Sequence, residues 1–206
     1  MGVVTQSAGP TRYENERFDD EDLAEVERSD DEFVGCSFRD ADLSEMRTRR
    51  VTFTECDLTG VNLGRSVHRS SAFRNCTIQR AQLSGIDLED CSLLGSVISD
   101  SVLTAVRMVD CDLTLTSLGG LRMHRAQLHG SRLTEANLSG TDLAHADLTG
   151  ADLRGARAVG AVLADADLRG ARCDVALWLQ AKTAGALIDP AHALEYARAH
   201  GLRFDE

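Results

Sequence analysis

The sequence predicts an all-β solenoid with square coils, and three regularities lead to this prediction. Apolar residues recur at every fifth position from Phe18 to Cys173 without a slip in register, small residues recur two positions earlier, and glycine or other turn-forming residues recur two positions later. A period of five fits neither an α-helix nor a regular β-strand. Internal repeats of one short unit therefore explain this chain better than separate elements do.

The apolar residue of each unit, called the centre here, carries the strongest signal. Of the 32 positions reached in steps of five from Phe18, 27 hold Leu, Phe, Ile or Met. Large residues at these centres fill the core of a chain in which aromatic residues make up only 4%. The core residues that we expect to be representative are Phe33, Phe53, Phe73, Leu138 and Leu153.

The position two residues before each centre, called the small inward position here, holds Ala, Cys, Ser, Thr or Val in most units. Side chains two apart on an extended segment point to the same face, so this residue and the centre both point inward. Glycine at the second residue after the centre supplies the positive φ of a tight corner. Four such faces close a 20-residue coil, and the 32 faces then make eight coils.

Five of the six cysteines fall in the repeat at the small inward position, and Cys173 falls at a centre. Cys36, Cys56 and Cys76 are 20 residues apart, so they should stack on one side of the solenoid. A thiolate metal site or a disulfide is one interpretation, and a small apolar filler of the core is the other. The absence of any Cys-x-x-Cys spacing in the sequence favours the core role, so we expect neither a metal nor a cofactor.

Three polar centres, Arg28, Thr48 and His68, are also 20 residues apart and make one side of the first coils irregular. This side is either a partner site or a locally repacked part of the core with Arg28 turned outward, and the second interpretation is favoured. His68 has no nucleophile or second base at a catalytic spacing. Because the sequence contains no phosphate-binding loop or paired catalytic acids either, we expect a binding protein and not an enzyme.

The charge of the chain is concentrated at its N-terminal end. The net charge is −11, and residues 1–45 alone carry 14 acids against four arginines. An acidic chain is a poor ligand for the phosphates of free DNA or RNA, so we expect no direct nucleic-acid binding. The acids serve either solubility or a cationic protein partner, and the candidate partner-binding acids are Asp20, Asp22, Glu25, Asp40, Asp42, Glu45, Asp90 and Asp110.

The repeat fades after Cys173, which divides the chain into three segments. We predict a flexible arm over 1–15, a β-helix over 16–175, and a helical cap and dimerisation segment over 176–206. A short helix is expected at 175–180 after Asp174, and a longer one at 191–200 between Asp189-Pro190 and Gly201. Trp178 suits the cap, and the expected dimer interface consists of Leu187, Ile188, Leu194, Ala197 and Leu202.

Neither end of the sequence carries a membrane signal. The first residues lack a basic-then-apolar leader pattern, and no stretch reaches the ~18 apolar residues of a membrane span. We therefore expect a cytoplasmic protein with no membrane partner.

The repeat resembles the pentapeptide-repeat family, whose loose motif is A-(D/N)-L-x-x. The resemblance covers about residues 16–175 and implies a right-handed quadrilateral β-helix. The units that match the motif best are Ala136-Asn137-Leu138-Ser139-Gly140, Ala146-Asp147-Leu148-Thr149-Gly150, Ala151-Asp152-Leu153-Arg154-Gly155 and Ala166-Asp167-Leu168-Arg169-Gly170.

Longer strings between about Asp30 and Leu202 are similar to the mycobacterial fluoroquinolone-resistance group of this family (MfpA). This resemblance implies a DNA-mimicking homodimer that is joined through its C-terminal helices, binds DNA gyrase, and modulates it or shields it from quinolones. The alternatives are an interaction scaffold or immunity-type protein with another target, and a thiol or metal protein. The strings include His68-Arg69-Ser70-Ser71-Ala72-Phe73-Arg74-Asn75-Cys76-Thr77, Gly60-Val61-Asn62-Leu63 and Ala199-His200-Gly201-Leu202.

Overall fold

The computed structural model describes residues 10–203, and residues 1–9 and 204–206 lie outside the described part. Parallel strands of three residues and isolated bridges build the solenoid, and two helices follow it. The helices are α1 (Val175–Gln180) and α2 (Pro190–Ala199). The strands are β1 (Arg12–Glu14), β2 (Glu27–Ser29), β3 (Glu32–Val34), β4 (Arg47–Arg49), β5 (Thr52–Thr54), β6 (Val67–Arg69), β7 (Ala72–Arg74), β8 (Thr77–Gln79), β9 (Asp87–Glu89), β10 (Val97–Ser99) and β11 (Arg107–Val109).

All strand pairs and bridges join residues 20 positions apart and are parallel. One ladder runs from Arg12 in steps of 20 to Arg172, which corresponds to the eight coils expected from the repeat. The prediction of a right-handed quadrilateral β-helix with a short helical cap is confirmed. The four sides of the coil are named here by their centres: side 1 contains Phe33, side 2 Phe38, side 3 Leu43 and side 4 Thr48.

The predicted core residues all lie inside the solenoid. Phe33, Phe53 and Phe73 are at most 5% exposed, and their rings stack 4.8–4.9 Å apart along side 1. Leu138 and Leu153, farther along the rod, are both 1% exposed. Identical neighbours in successive coils place like side chains in continuous columns, which is how an aromatic-poor chain fills its interior.

The small inward position has a second role that the sequence did not reveal. The Cys56 thiol lies 3.5 Å from the carbonyl oxygen of Phe33, 23 residues earlier, and the Ser96 hydroxyl donates to the carbonyl of Phe73 at 2.7 Å. The carbonyls of centre residues would otherwise lie buried without a donor, which costs free energy. Cysteine, serine and threonine at this position therefore satisfy the backbone of the preceding coil as well as filling space.

The corners adopt positive φ whether or not they hold glycine. Gly60 has φ of 76°, and Asp40, one coil earlier in the same column, has φ of 55°. The Asp40 carboxylate occupies the space above Gly60, since a Cβ atom on Gly60 would lie 2.0 Å from Asp40 Oδ1. The Asp40 carboxylate therefore leaves no room for a side chain at residue 60.

Both boundaries of the β-helix lie elsewhere than predicted. Strand β1, which falls within the predicted arm, pairs with β3, so the first coil begins by residue 12; the rest of that arm, 1–9, lies outside the described residues. At the other end Lys182 and Leu187 still bridge to residues 20 earlier, so the ladder passes beyond residue 175 and α1 replaces one face of the last coil. A helix that spans one face keeps the 20-residue register, which explains why the pentad pattern ended early.

Candidate partner-binding surfaces

Six of the eight predicted partner-binding acids form one cluster around side 3 of the first two coils. Asp22 and Asp42 face each other in register across the ladder. Asp20 and Asp40 line the corner before them, and Glu25 and Glu45 line the corner after them. Asp20, Asp22, Glu25 and Asp40 are exposed, whereas Asp42 and Glu45 are half-buried. The acids of the second coil thus lie directly over those of the first, and their role in binding stays a prediction.

The acids of this cluster differ in how far the protein neutralises them. Arg65 Nε donates to Glu45 Oε1 at 2.9 Å, which compensates that charge. The Ser44 hydroxyl and backbone amide, together with the Asn62 amide, stabilise the carboxylate of Asp42 and lower its pKa. Among the described residues, no ion pair is formed by Asp20, Asp22, Glu25 or Asp40. These four therefore contribute uncompensated negative charge at this end of the rod.

Asp90 and Asp110 belong to a different part of the surface. They lie one coil apart on the corner between sides 4 and 1, both with φ of 52°, and are exposed. With Asp112 and Arg132 they line a shallow groove, in which Arg132 Nη1 lies 3.7 Å from Asp112 Oδ2. The structure therefore does not bring the eight acids into one site, because the 20-residue register assigns them to different sides.

The irregular side 4 is a buried polar network. Thr48 and His68 are 4% and 0% exposed, and Thr48 Oγ1 lies 2.7 Å from His68 Nδ1. Ser66 Oγ lies 2.9 Å from His68 Nε2 and donates its own proton to the carbonyl of Leu63 at 2.8 Å. Ser66 must therefore accept from Nε2–H, which leaves Nδ1 to accept from the Thr48 hydroxyl. Burial, with the charge of Arg69, lowers the pKa of His68 to about 3, so the ring is neutral. The interpretation of this side as a repacked core is supported.

Arg28, however, is not turned outward as predicted. Its Nη1 lies 3.4 Å from the Tyr13 hydroxyl and 3.4 Å from Asp31 Oδ2. Asp31 is 7% exposed and also accepts the backbone N–H of Thr11 at 3.1 Å. At the N-terminal end of the described solenoid, Arg28 reaches across the core and pairs with the buried Asp31. The side chain thus helps to close the N-terminal end.

The C-terminal cap supplies acceptors for the last coil. Asp174 and Asp189 accept the N–H groups of Gly155 and Gly170, and the Gln180 side chain accepts that of Ala158 at 3.1 Å. Open strand edges promote association with other chains, so these side chains close the edge that the missing next coil would have covered. Asp174 precedes α1 but makes no side-chain cap bond to it, because its carboxylate is engaged with the solenoid.

Trp178 and α2 complete the cap. Trp178 is 2% exposed, and its ring centroid lies 5.6 Å from that of His192. His192 Nδ1 accepts the N–H of Asp189 at 3.4 Å, so Nε2–H donates to the carbonyl of Ala171 at 2.8 Å. The helix α2 is therefore fixed at its first turn, and the predicted positions of both helices are met within one residue.

The predicted dimer residues do not all face solvent. Leu187, Leu194 and Leu202 are 54%, 45% and 61% exposed. Ala197 is half-buried, and Ile188 packs against the core, because it continues the column of side-4 centres 20 residues after Leu168. The cap also exposes apolar side chains that the sequence analysis did not predict: Val175, Leu179 and Tyr196. The periodicity of the two short helices would have revealed them.

A cationic band on side 3 was also missed. Arg122, His124 and Arg125 are exposed in the sixth coil, and neither arginine forms an ion pair within residues 10–203. The rings of His124 and His145 lie 5.0 Å apart across the next coil step. Side 3 thus passes from acidic at Asp22 to cationic at Arg122, a polarity that the stacked register could have shown.

Other kinds of site find little support in the described residues. No cluster of three or more His, Cys, Asp or Glu side chains within 10–203 has the arrangement to hold a metal ion. The five inward cysteines are buried as free thiols, and burial raises the pKa of Cys173 to about 12. Over the same range, no helix has the length and hydrophobicity to cross a bilayer.

The fold and these surfaces define a parallel β-solenoid whose regular interior carries the structure and whose outward residues are free to carry recognition. Comparison with known proteins specifies the family. The family model described as "Pentapeptide repeat region" matches residues 26–103, and "Pentapeptide repeats (8 copies)" matches 122–157 and 146–174. Together these matches cover more than half of the chain. The chain therefore belongs to the pentapeptide-repeat family.

Two solved structures of one protein, QnrB1, show the same fold at low sequence identity. Full-length QnrB1, a plasmid-mediated fluoroquinolone resistance protein, is 15% identical with a TM-score of 0.79, over 94% of this chain and 98% of its own. A trypsin-treated QnrB1 variant gives 0.80 at 15% identity, over 95% and 98%. HetL from the cyanobacterium Nostoc sp. strain PCC 7120 is 24% identical over 85% and 84%, with a TM-score of 0.40. No curated protein matches the sequence significantly.

Proposed function

We propose that this protein is a DNA mimic that binds DNA gyrase, modulates its activity and protects it from fluoroquinolones. The observation that carries the proposal is the match to QnrB1 along nearly the whole rod, since QnrB1 is a fluoroquinolone resistance protein. The strings similar to the mycobacterial fluoroquinolone-resistance group support the same function from the sequence.

The shape of the rod supports mimicry better than its charge does. Eight coil steps at about 4.8 Å make a rod roughly 40 Å long. Duplex DNA carries one charge per ~1.7 Å of axis, whereas this rod concentrates its uncompensated acids at one end, around Asp22 and Glu25. Gyrase would therefore be attracted mainly by the first two coils, and the rest of the contact would depend on shape.

We propose further that two copies associate through the cap. Leu187, Leu194 and Leu202 expose apolar surface that a monomer leaves in water, and such patches often mark an interface. A dimer would place the two acidic ends at opposite tips of a longer rod.

A role by binding alone, in the cytoplasm, completes the proposal. The groups with the most catalytic potential, His68 and the inward cysteines, are sealed in the core. A neutral imidazole with a pKa of about 3 is a poor general base at neutral pH. Gyrase acts on intracellular DNA, which sets the compartment in which this protein would meet it.

One observation favours an interaction scaffold or immunity-type protein with a different target. The cationic band of Arg122, His124 and Arg125 breaks the acidic character of side 3, and a groove built for DNA would repel it. A target with both basic and acidic patches would suit this polarity better than a gyrase DNA channel does.

A supercoiling assay with purified DNA gyrase, with and without ATP and a quinolone, tests the proposal. Micromolar protein should slow supercoiling and reduce quinolone-induced DNA cleavage. Unchanged supercoiling and cleavage at a large molar excess of the protein would rule out the gyrase function and leave the scaffold alternative.

Charge-neutralised variants then locate the contact. Asp22→Asn with Glu25→Gln should weaken the effect on gyrase by about 10-fold, since each desolvated charge contributes on the order of 1 kcal/mol. Glu55→Gln with Glu135→Gln is the matched control, because these exposed acids lie on another corner. A parallel Asp90→Asn/Asp110→Asn variant asks whether the second acidic surface takes part; equal losses in all three would show that only net charge matters.

A further inference from the structure

The hydrogen-bond ladder of side 3 is interrupted between the fifth and sixth coils. One coil earlier, Leu83 N–H donates to the carbonyl of Val102 at 2.9 Å, and Gly85 N–H to that of Thr104 at 2.8 Å. Within the described chain, the equivalent bonds from Leu103 and Ala105 to the sixth coil are not formed, nor is the bridge between Val102 and Arg122.

The interruption extends to the neighbouring corners. The Asp100 N–H does not reach the carbonyl of Gly119, and the Val106 N–H does not close the corner onto the carbonyl of Leu103, although these bonds recur at the equivalent places of most other coils in the described part of the rod. The opening is therefore a seam that follows side 3 from one corner to the next.

The cause of the seam lies in the core. The small inward column of side 3 holds Ala81, Ser101 and Thr141, but between the last two it holds Leu121, which is 4% exposed. Between residues 31 and 171, Ser101 is the one residue at a small inward position that is half-exposed instead of buried. Ile86 shows that a large residue at such a position on side 4 leaves the ladder closed. On side 3, however, Leu121 follows the smaller Ser101, and we infer that it overpacks the interior there and pushes the adjacent strand outward.

The other three sides are closed across the same step. On each of these sides a backbone N–H of the fifth coil donates to a backbone carbonyl of the sixth. The bonds run from Met108 to Gln127 at 2.8 Å on side 4, from Ile98 to Ser117 at 3.0 Å on side 2, and from Leu113 to Arg132 at 2.7 Å on side 1. We propose that the rod contains a one-sided hinge here: it bends by opening side 3 and pivoting on the intact ladder of side 1, which lies opposite.

The hinge joins two blocks with different interiors. The block before it contains the aromatic column through Phe73 and the polar network at His68, and the block after it is packed with Leu and Ala. Each block keeps a complete hydrogen-bond ladder, and the bonds that bending would break on side 3 are already absent. Bending therefore costs little free energy. The hinge does not depend on the identity of the partner. A rod that bends at its middle can fit the curvature of any binding surface.

Amide hydrogen exchange measured residue by residue on the full chain tests the seam. Exchange at Leu103 and Ala105 should be at least about 100-fold faster than at Leu83 and Gly85, which are equivalent amides with formed bonds. Equal protection at the two pairs would show that the ladder is closed in solution and would overturn the proposal.

Residual dipolar couplings test the bending itself. Residues 12–100 and 121–187 should require alignment tensors of different magnitude in the native protein. Leu121→Ala should bring the two tensors together and slow exchange at Leu103 by about 10-fold or more, because a small residue lets the strand return. Ile86→Ala, which trims a large buried residue at a small inward position where the ladder is closed, is the control and should change neither.

The outcomes separate clearly. One tensor for the whole native rod would refute the hinge even if the seam exchanges fast. A Leu121→Ala protein that keeps two tensors would refute overpacking as its cause. If that variant does not fold, the native couplings and exchange rates still decide the proposal.

Discussion

Acid should destabilise the protein through His68 between pH 7 and pH 5. Burial lowers the pKa of His68 from 6.5 to about 3, and nearby Arg69 adds to this effect more than Asp87 opposes it. The unfolded chain binds a proton near pH 6.5 and the folded chain does not, so the stability contributed by neutral His68 is full above pH 6.5. It is lost progressively as the pH falls from 6.5 to about 3. Each pH unit below 6.5 lowers the free energy of unfolding by ~1.4 kcal/mol. Between pH 7 and pH 5 the free energy of unfolding therefore falls by about 2 kcal/mol.

Chemical denaturation at pH 7, 6 and 5 measures this loss, and His68→Leu should abolish most of it. Leucine fits the column because Leu88 occupies the next centre, and Thr48 and Ser66 retain other partners at Ser71 and Leu63. The comparison uses the change with pH and not the absolute stability, which the substitution shifts for other reasons. His124→Gln, at an exposed imidazole, is the control and should behave as the native protein does. A His68→Leu protein that loses as much stability as the native one between pH 7 and 5 would refute the argument.

Three further predictions follow from the packing. Gly60→Ala should lower the free energy of unfolding by about 2 kcal/mol or more, because the new Cβ would lie 2.0 Å from Asp40 Oδ1 and the residue has positive φ. Gly120→Ala, with no atom within 4 Å of its Cβ, should lower it only by the ~1 kcal/mol that positive φ costs alanine. Denaturation midpoints compare the two variants. Phe53→Leu, measured in the same way, should cost about 1–2 kcal/mol by breaking the stack on both sides of the ring. Leu187→Asp should raise the dissociation constant of the proposed dimer by about 10-fold or more in sedimentation or light scattering, and an unchanged constant would exclude the cap as the interface.

The interior of the fold was predictable from the sequence because each constraint there is local and repeated. A centre such as Leu138 must be large and apolar, its neighbour two residues earlier must be small, and the corner must accept positive φ. These requirements recur every five residues, so chance lapses do not hide the pattern. Prediction failed where a long-range contact decides the outcome: Arg28 folds back to Asp31 at the open end, and α1 replaces a face without changing the register.

The candidate surfaces were only partly predictable, since the repeat restricts inward side chains and leaves outward ones free. The 20-residue period correctly placed Asp22 over Asp42, yet it assigns Asp90 and Asp110 to another corner, which a list of acids from the sequence does not show. The ion pair of Arg65 with Glu45 and the hydrogen bonds to Asp42 depend on side-chain geometry. The spacing of residues in the sequence does not predict them.

The separation between a fixed interior and a free exterior also explains where function can reside in such a rod. A surface substitution does not disturb a ladder made by the backbone, so charge can be redistributed along a side at little cost in stability. An inward substitution can disturb it, and the ladder of side 3 is open beside Leu121, where Ser101 is half-exposed. Recognition is therefore tuned by outward residues such as Asp22 and Arg122, whereas the shape that they are presented on is tuned by rare inward exceptions. On the hinge proposal, the position of such an exception along the rod sets where the rod bends.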